Sequence, residues 1–213
     1  MEAADEADGL LLLGGEAPER RHLESILSRS PLVVAADSGF DLALRLGITP
    51  DLLIGDLDSV RPGPQLDRFP RERLLRYPRD KDQTDAELGL NLMRERGCRH
   101  VVLAGGGGGR LDHLLALVDL FERQPPPEAW LTAREEVRAV EGRRILSGCR
   151  GLRVSFFPLG CGVSGLSSSG LKWPLDGLRW SRGQEGVSNL ILEDRASVGV
   201  ARGRLLMILE LKR

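Results

Sequence analysis

The sequence predicts an α/β protein in two parts: an N-terminal, mostly parallel α/β sandwich domain over residues 1–135, followed by a C-terminal antiparallel β-sandwich domain over residues 136–213. Three observations predict it. In the first part short apolar runs alternate with helical segments, the rhythm of β-α-β units. After residue 135 the apolar runs shorten, and Gly or Ser interrupts them often. Charge divides at the same place: residues 1–135 carry 17 basic and 24 acidic groups, net −7, and residues 136–213 carry 13 and 7, net +6. Gln124-Pro125-Pro126-Pro127 forms a stiff interruption just before the change.

Taken in order, LLLLGG (10–15), PLVVAAD (31–37), DLLIGD (51–56) and HVVLAG (100–105) read as buried strands. One helix between them is well marked. Thr84 and Glu87 make a capping box, so the helix starts at Asp85; Leu88 and Leu92 share a face, and Gly97 stands where a glycine stops a helix. A second helix follows Asp112 and carries Leu114, Leu115, Val118 and Phe121. The later segments LRVSFFPL, GLKWPL, GLRWS, SNLILE, ASVGVA and RLLMILEL read as pieces of the β module. There is no internal repeat, and the only low-complexity stretch is Gly105 to Gly109.

Composition excludes several classes. The whole chain is balanced at −1, which argues against a protein that binds nucleic acid over its entire surface. The apolar stretch Leu10 to Leu13 is far short of the ~18 residues a membrane span needs. The opening MEAADEADG is acidic and has no signal-peptide pattern, so a cytoplasmic protein is expected. Cys98, Cys149 and Cys161 never form a C-x-x-C pair, which disfavours a disulfide framework or a thiolate zinc site. Three histidines (His22, His100, His113) disfavour a poly-His metal site. There are 26 Gly in 213 residues, against a usual share of about 7%, and only 9 aromatic residues. Backbone loops are therefore favoured over aromatic platforms as ligand contacts.

Ligands of a parallel sheet sit beyond the carboxyl ends of its strands, and three predicted strands run into Asp- or Gly-bearing turns. VVAADSG delivers Asp37. LLIGDLDS delivers Asp56 and Asp58, which project to one side if the chain is extended. Two carboxylates at a strand end suit a hard cation such as Mg²⁺, which takes one or two protein carboxylates and fills its remaining positions with water and phosphate oxygens; an acidic turn that caps the next segment reads the same way. DKDQTDAE adds Asp80, Asp82 and Asp85, whose repulsion a shared cation or Lys81 would relieve, although the helix dipole alone favours a carboxylate there. LAGGGGGRLDH is a strand, a glycine run and a helix start: successive glycines can present N–H groups to a phosphate, with Arg110 as a forked donor, or can form a plain surface loop. Asp112 and His113 follow, as a ligand and a polar contact or as a cap and an exposed histidine. Six arginines between residues 61 and 79 give that stretch a net +4, read as a solvated face or, as the alternative, as a source of one or two side chains that reach a nucleotide phosphate. In the β module, Trp173 in SSSGLKWPL stands among hydroxyls and suits stacking on a planar ring if exposed; burial in the core is the commoner fate of a Trp.

In order, these motifs resemble the thiamine pyrophosphokinase family over almost the whole chain. ADSGFDLALRLGITPDLLIGDLDSV is similar to the family signature ending in G-D-x-D-S, DKDQTDAELGL to its D-x-x-T-D element, GGRLDH to its G-G-R-x-D-H element, and GLKWPL and GVSN to its β domain. The resemblance implies transfer of the pyrophosphoryl group of ATP to thiamine, with Mg²⁺, giving AMP and thiamine diphosphate in a homodimer with interfacial active sites. It implies that Asp56, Asp58, Asp85 and Asp82 are the catalytic carboxylates, with Asp56, Asp58 and Asp85 on the metal. Asp37, Gln83, Gly109, Arg110, Asp112 and His113 would bind ATP, Asp37 and Asp112 also belonging to the acidic floor. Ser168, Trp173, Ser188 and Asn189 would bind thiamine. The chain departs from the family pattern at Ser38, where the family has glycine, in the unbroken glycine stretch before Arg110, and at Leu117, where the family has asparagine. A thiamine or nucleotide sensor without catalysis and a Mg²⁺-dependent phosphohydrolase are the competing expectations; the latter is disfavoured because Ser59 and Val60, not x-Thr, follow Asp58.

Overall fold

The computed structural model describes residues 8–80 and 82–212. The chain divides into two units, one running to Leu120 and including Pro127–Ala133, the other comprising Phe121–Pro126 and Arg134 onward. The first is the α/β unit. Its strands are β1 (Gly9–Leu12), β2 (Leu32–Ala36), β3 (Leu52–Gly55), β4 (Leu74–Arg76), β5 (Val101–Ala104) and β6 (Ala129–Leu131), in the order β6-β5-β1-β2-β3-β4. Every neighbouring pair among them is parallel. All four expected strands are present. β4 and β6 were not legible because each has only three residues.

The central strands are buried on both faces, as their unbroken apolar runs require; Leu10, Leu11, Leu12, Leu53 and Ile54 are fully enclosed. Helices are α1 (Glu24–Leu27), α2 (Gly39–Leu46), α3 (Pro64–Asp67), α4 (Asp85–Glu95) and α5 (Leu111–Asp119). Leu53 and Ala35 pack with Phe40 of α2, whereas the next residue, Ile54, meets α4 at Gly89. Alternate residues of a strand point to opposite faces, so α2 and α4 cover opposite sides of the sheet. The capping box of α4 is present, with Glu87 N–H donating to Thr84 Oγ1 (3.2 Å) and Thr84 N–H donating to Glu87 Oε2 (2.7 Å). At its other end Cys98 N–H donates to Met93 O and Gly97 N–H to Arg94 O, closing a Schellman motif. In α5, Leu117 is buried but Leu115 is 56% exposed.

The second unit is antiparallel throughout: β7 (Glu135–Ser147), β8 (Arg153–Pro158), β9 (Val163–Ser169), β10 (Arg179–Trp180), β11 (Gly186–Leu190) and β12 (Arg195–Glu210). ASVGVA and RLLMILEL, which read as two segments, are one strand, β12. Its pairing with β7 is interrupted between Val200 and Leu205. The part before this irregularity pairs with β9 and the part after it with β8. Phe156, Leu166, Ile191, Val198, Leu205 and Met207 belong to its shared core, which is how a β-sandwich closes. GLKWPL is a loop between β9 and β10 rather than a strand. Among the described residues no helix is long and apolar enough to cross a membrane.

Candidate active site

The loops at the carboxyl ends of β1 to β5 surround a cleft of about 500 Å³ in the α/β unit, where the order of a doubly wound sheet places its ligands. Asp37 leaves β2 in a left-handed conformation (φ 45°), tied to β3 by its N–H donating to Ile54 O (2.8 Å). Its side chain then occupies the space above Gly55: a Cβ on Gly55 would lie 1.9 Å from Asp37 Oδ1, and Gly55 has φ 131°. Glycine is thus the only residue that lets β3 end beneath Asp37. Leu57 N–H donates to Asp37 Oδ1 (2.9 Å) and Asp58 N–H to Asp56 Oδ1 (3.0 Å).

Carboxylate oxygens of Asp37, Asp56 and Asp58 all lie within 4.8 Å of one another. Asp56 and Asp58 do converge, but not by the alternation of an extended chain. β3 has ended at Gly55, and Leu57 between them is left-handed (φ 66°); a tight turn held by the Asp58 N–H brings the two together. Asp58 reaches solvent, where Arg79 stands 3.6 Å away. Asp85, the first residue of α4, joins the group through a hydrogen bond to Asp37. Burial, this hydrogen bond and the charges of Asp85 and Asp56 push the Asp37 carboxyl up to about 7, against the lowering effect of the Leu57 N–H. A hydrogen bond between two carboxyl groups needs a proton, and burial beside Asp85 and Asp56 favours keeping it on Asp37 when no cation is bound.

The acidic floor of six aspartates implied by the resemblance is therefore smaller in the structure. Asp82 is exposed and outside both the carboxylate triplet and the cleft lining, whereas its neighbour Gln83 lines the cleft. Lys81 lies outside the described residues. Asp112 is engaged elsewhere: its Oδ1 accepts from Arg110 Nε (3.1 Å) and from His113 N–H (3.0 Å), and its Oδ2 accepts from Arg110 Nη2. The guanidinium holds Asp112 below the usual carboxylate range, and the pairing raises Arg110 in return. Gly109, Arg110 and His113 line the cleft; Asp112 holds Arg110 from outside it.

The glycine run has a different role from the one expected. Gly105 N–H donates to Leu131 O, Gly106 N–H to Gly14 O (2.6 Å) and Gly107 N–H to Glu16 O (3.0 Å), so these amides serve the fold and not a phosphate. A Cβ on Gly105 would lie 2.1 Å from Leu13 O, and one on Gly106 would lie 2.6 Å from Leu117 Cδ1. The run is glycine because the loops after β1 and β5 are zipped together there. A Cβ on Gly109 meets nothing within 4 Å; Gly106 and Gly107 also line the cleft, but with their amides already engaged. Residues 13–15, Ser38, Ser59, Arg79, Thr84, Ala116 and Leu117 also line it. Ser38 is accommodated because Gly14 leaves room for its hydroxyl, and Leu117 makes part of the cleft wall apolar.

In the β unit, Trp173 is 54% exposed with Lys172 Nζ 4.6 Å from its ring centroid. By contrast Trp130 is buried, with Nε1 donating to Gly105 O, and Trp180 packs on the β core. Asn189 is buried and uses its amide on the Trp173 main chain: Oδ1 accepts from Trp173 N–H (3.1 Å) and Leu190 N–H (2.9 Å), and Nδ2 donates to Trp173 O (2.7 Å). Ser168 Oγ accepts from Leu175 N–H (2.8 Å), at the far end of the same loop. Ser188 is exposed and left-handed (φ 59°), its N–H donating to Ser155 Oγ (3.0 Å). Asn189 and Ser168 thus shape the loop that presents Trp173.

A doubly wound α/β unit with carboxylates converging at the carboxyl ends of β2 and β3, followed by a β-sandwich unit, defines a two-domain α/β enzyme class. The comparisons narrow it. Residues 23–128 match the family model described as the thiamin pyrophosphokinase catalytic domain, and residues 147–205 match the thiamin pyrophosphokinase vitamin B1 binding domain. The thiamine pyrophosphokinase of Bacillus subtilis (strain 168) is 26% identical, covering 83% of this chain and 86% of that protein. The crystal structure of thiamin pyrophosphokinase from Geobacillus thermodenitrificans superposes with a TM-score of 0.79 at 27% identity, covering 95% of this chain and 97% of that one. The yeast enzyme shares the fold at 16% identity, with a TM-score of 0.72, covering 99% of this chain and 89% of that one. The chain belongs to the thiamin pyrophosphokinase family.

Proposed function

We propose that this protein transfers the pyrophosphoryl group of ATP to the hydroxyl of thiamine, giving thiamine diphosphate and AMP, and that it requires Mg²⁺. The observation that carries the proposal is the convergence of Asp37, Asp56 and Asp58 within 4.8 Å at the carboxyl edge of the parallel sheet. The donor set fits the ion: all three offer hard oxygen ligands, and burial, with the neighbouring carboxyl groups adding to it, pushes the Asp37 carboxyl up, a penalty that a bound cation relieves. Asp37, Asp56 and Asp58 would hold Mg²⁺, with Asp85 beside them. Bound there, the ion would supply neutralisation of the charge on the phosphate oxygens.

The remaining work falls to the chain. Phosphoryl-type transfer needs positioning and charge stabilisation more than covalent help from the protein. Arg110, held flat by Asp112, offers a fixed cation to the phosphates, and Gln83, Gly109 and His113 complete the nucleotide wall. A carboxylate of the cluster accepts the proton of the attacking hydroxyl. Trp173 stacks on thiamine, on a loop set by Asn189 and Ser168. The proposal extends to a homodimer: Leu111 (71% exposed) and Leu115 (56%) stand one turn apart on α5, and Val187 (60%) lies exposed in the β unit. Apolar side chains so exposed, on each of two units of opposite net charge, suit surfaces that a second copy covers.

The test is product analysis. Purified protein with ATP, Mg²⁺ and thiamine is expected to yield AMP and thiamine diphosphate in equal amounts. Inorganic phosphate released without thiamine would instead indicate a phosphohydrolase, and substrate binding with no product a sensor.

A further inference from the structure

We propose that Arg79 is a phosphate-binding arm of the cleft, held on Asp58 until a divalent cation takes that carboxylate. The inference rests on the reading above, that nucleotide and cation share this cleft. Of the six arginines between residues 61 and 79, Arg79 alone lines it. It sits on the loop joining β4 to α4, beside Asp56 and Gln83.

Arg79 and Arg110 are held differently. Arg110 is locked by a two-pronged pairing with Asp112. Arg79 Nη2 stands 3.6 Å from Asp58 Oδ2, and its side chain is 81% exposed, a distance and exposure at which an ion pair contributes little. Its partner is also one of the three carboxylates that converge for a cation. A guanidinium and a divalent ion therefore compete for Asp58. Once the carboxylate turns to the ion, Arg79 has a long stem, a free fork and an anionic oligophosphate within the same cleft, and a guanidinium fork matches two phosphate oxygens. The arm thus neutralises Asp58 in the empty site and the phosphates in the filled one.

This predicts effects of opposite sign from one substitution. Calorimetric titration of Mn²⁺ alone, and of α,β-methylene-ATP with Mg²⁺ present, would be compared for the wild type, Arg79→Gln and Arg79→Lys. Arg79→Gln should bind Mn²⁺ a few-fold more tightly, because its competitor is gone, and the nucleotide analogue about tenfold more weakly, the worth of one charge-assisted contact. Arg79→Lys should fall between in nucleotide affinity. Thermal melting should be unchanged, since the side chain is exposed. Wild-type and Arg79→Gln proteins with the same affinities for both ligands, or a variant weakened toward Mn²⁺, would overturn the role of Arg79 alone. A wild type that binds neither Mn²⁺ nor the analogue would overturn the cation-and-nucleotide reading, and Arg79's role with it.

Discussion

Asp37 Oδ1 occupies the place where a side chain on Gly55 would begin, 1.9 Å from the position of a Cβ. The end of β3 thus makes room for the carboxylate that leaves β2. Gly55→Ala would combine this clash with a φ of 131°, which L-residues rarely adopt. It should cost at least about 2 kcal/mol in chemical denaturation and displace Asp37 from the cluster. Gly109→Ala, facing open space, should leave stability within about 0.5 kcal/mol. Equal losses in the two variants would contradict the packing role of Gly55.

The raised Asp37 carboxyl gives cation binding a defined pH dependence. At pH values below about 7 a cation must displace a proton from Asp37, so affinity should rise by about tenfold per pH unit up to that point and then level off. Calorimetry in buffers of different ionisation enthalpy should detect the released proton. For stability the sign is reversed. Because the folded value of about 7 lies above the ordinary 3.8, this contribution is fully present below 3.8 and fades as pH rises through 7 in the absence of cation. Asp37→Asn should flatten both dependences, and a cation affinity constant between pH 6 and pH 8 in the wild type would refute the assignment.

Trp173 and Asn189 should separate on substitution. Trp173→Ala removes an exposed ring and should raise the KM for thiamine with little loss of stability. Asn189→Ala removes three hydrogen bonds of a buried amide, which should cost about 1–3 kcal/mol and raise the same KM by releasing the loop. If Asn189→Ala raised KM with no change in unfolding, it would be a direct ligand contact and not a positioning residue.

Much of this was legible in the sequence where one physical rule acted alone. β1, β2, β3 and β5 were visible because strands buried on both faces are unbroken apolar runs, and α4 because Thr84 and Glu87 satisfy its first N–H groups. Legibility failed where two uses compete for one residue. The glycines at 105–107 look like a phosphate cradle, yet their amides pair with Leu131, Gly14 and Glu16, partners remote in sequence. Asp112 looks like a ligand until Arg110 is seen to hold it. Asp58 and Asp56 were paired correctly, but through a turn and not an extended strand. Arg79 was one of six similar arginines, and only the path of the β4–α4 loop sets it apart.

If the carboxylates beside Gly55 hold the metal for pyrophosphoryl transfer, removing one charge from them should stop the reaction. The most direct measurement is the initial rate of AMP release at saturating ATP, Mg²⁺ and thiamine, for the wild type and for Asp56→Asn and Asp58→Asn proteins with unchanged melting curves. Thiamine-dependent AMP release is expected in the wild type, falling by at least ~100-fold in both variants. Undiminished rates in both would contradict it.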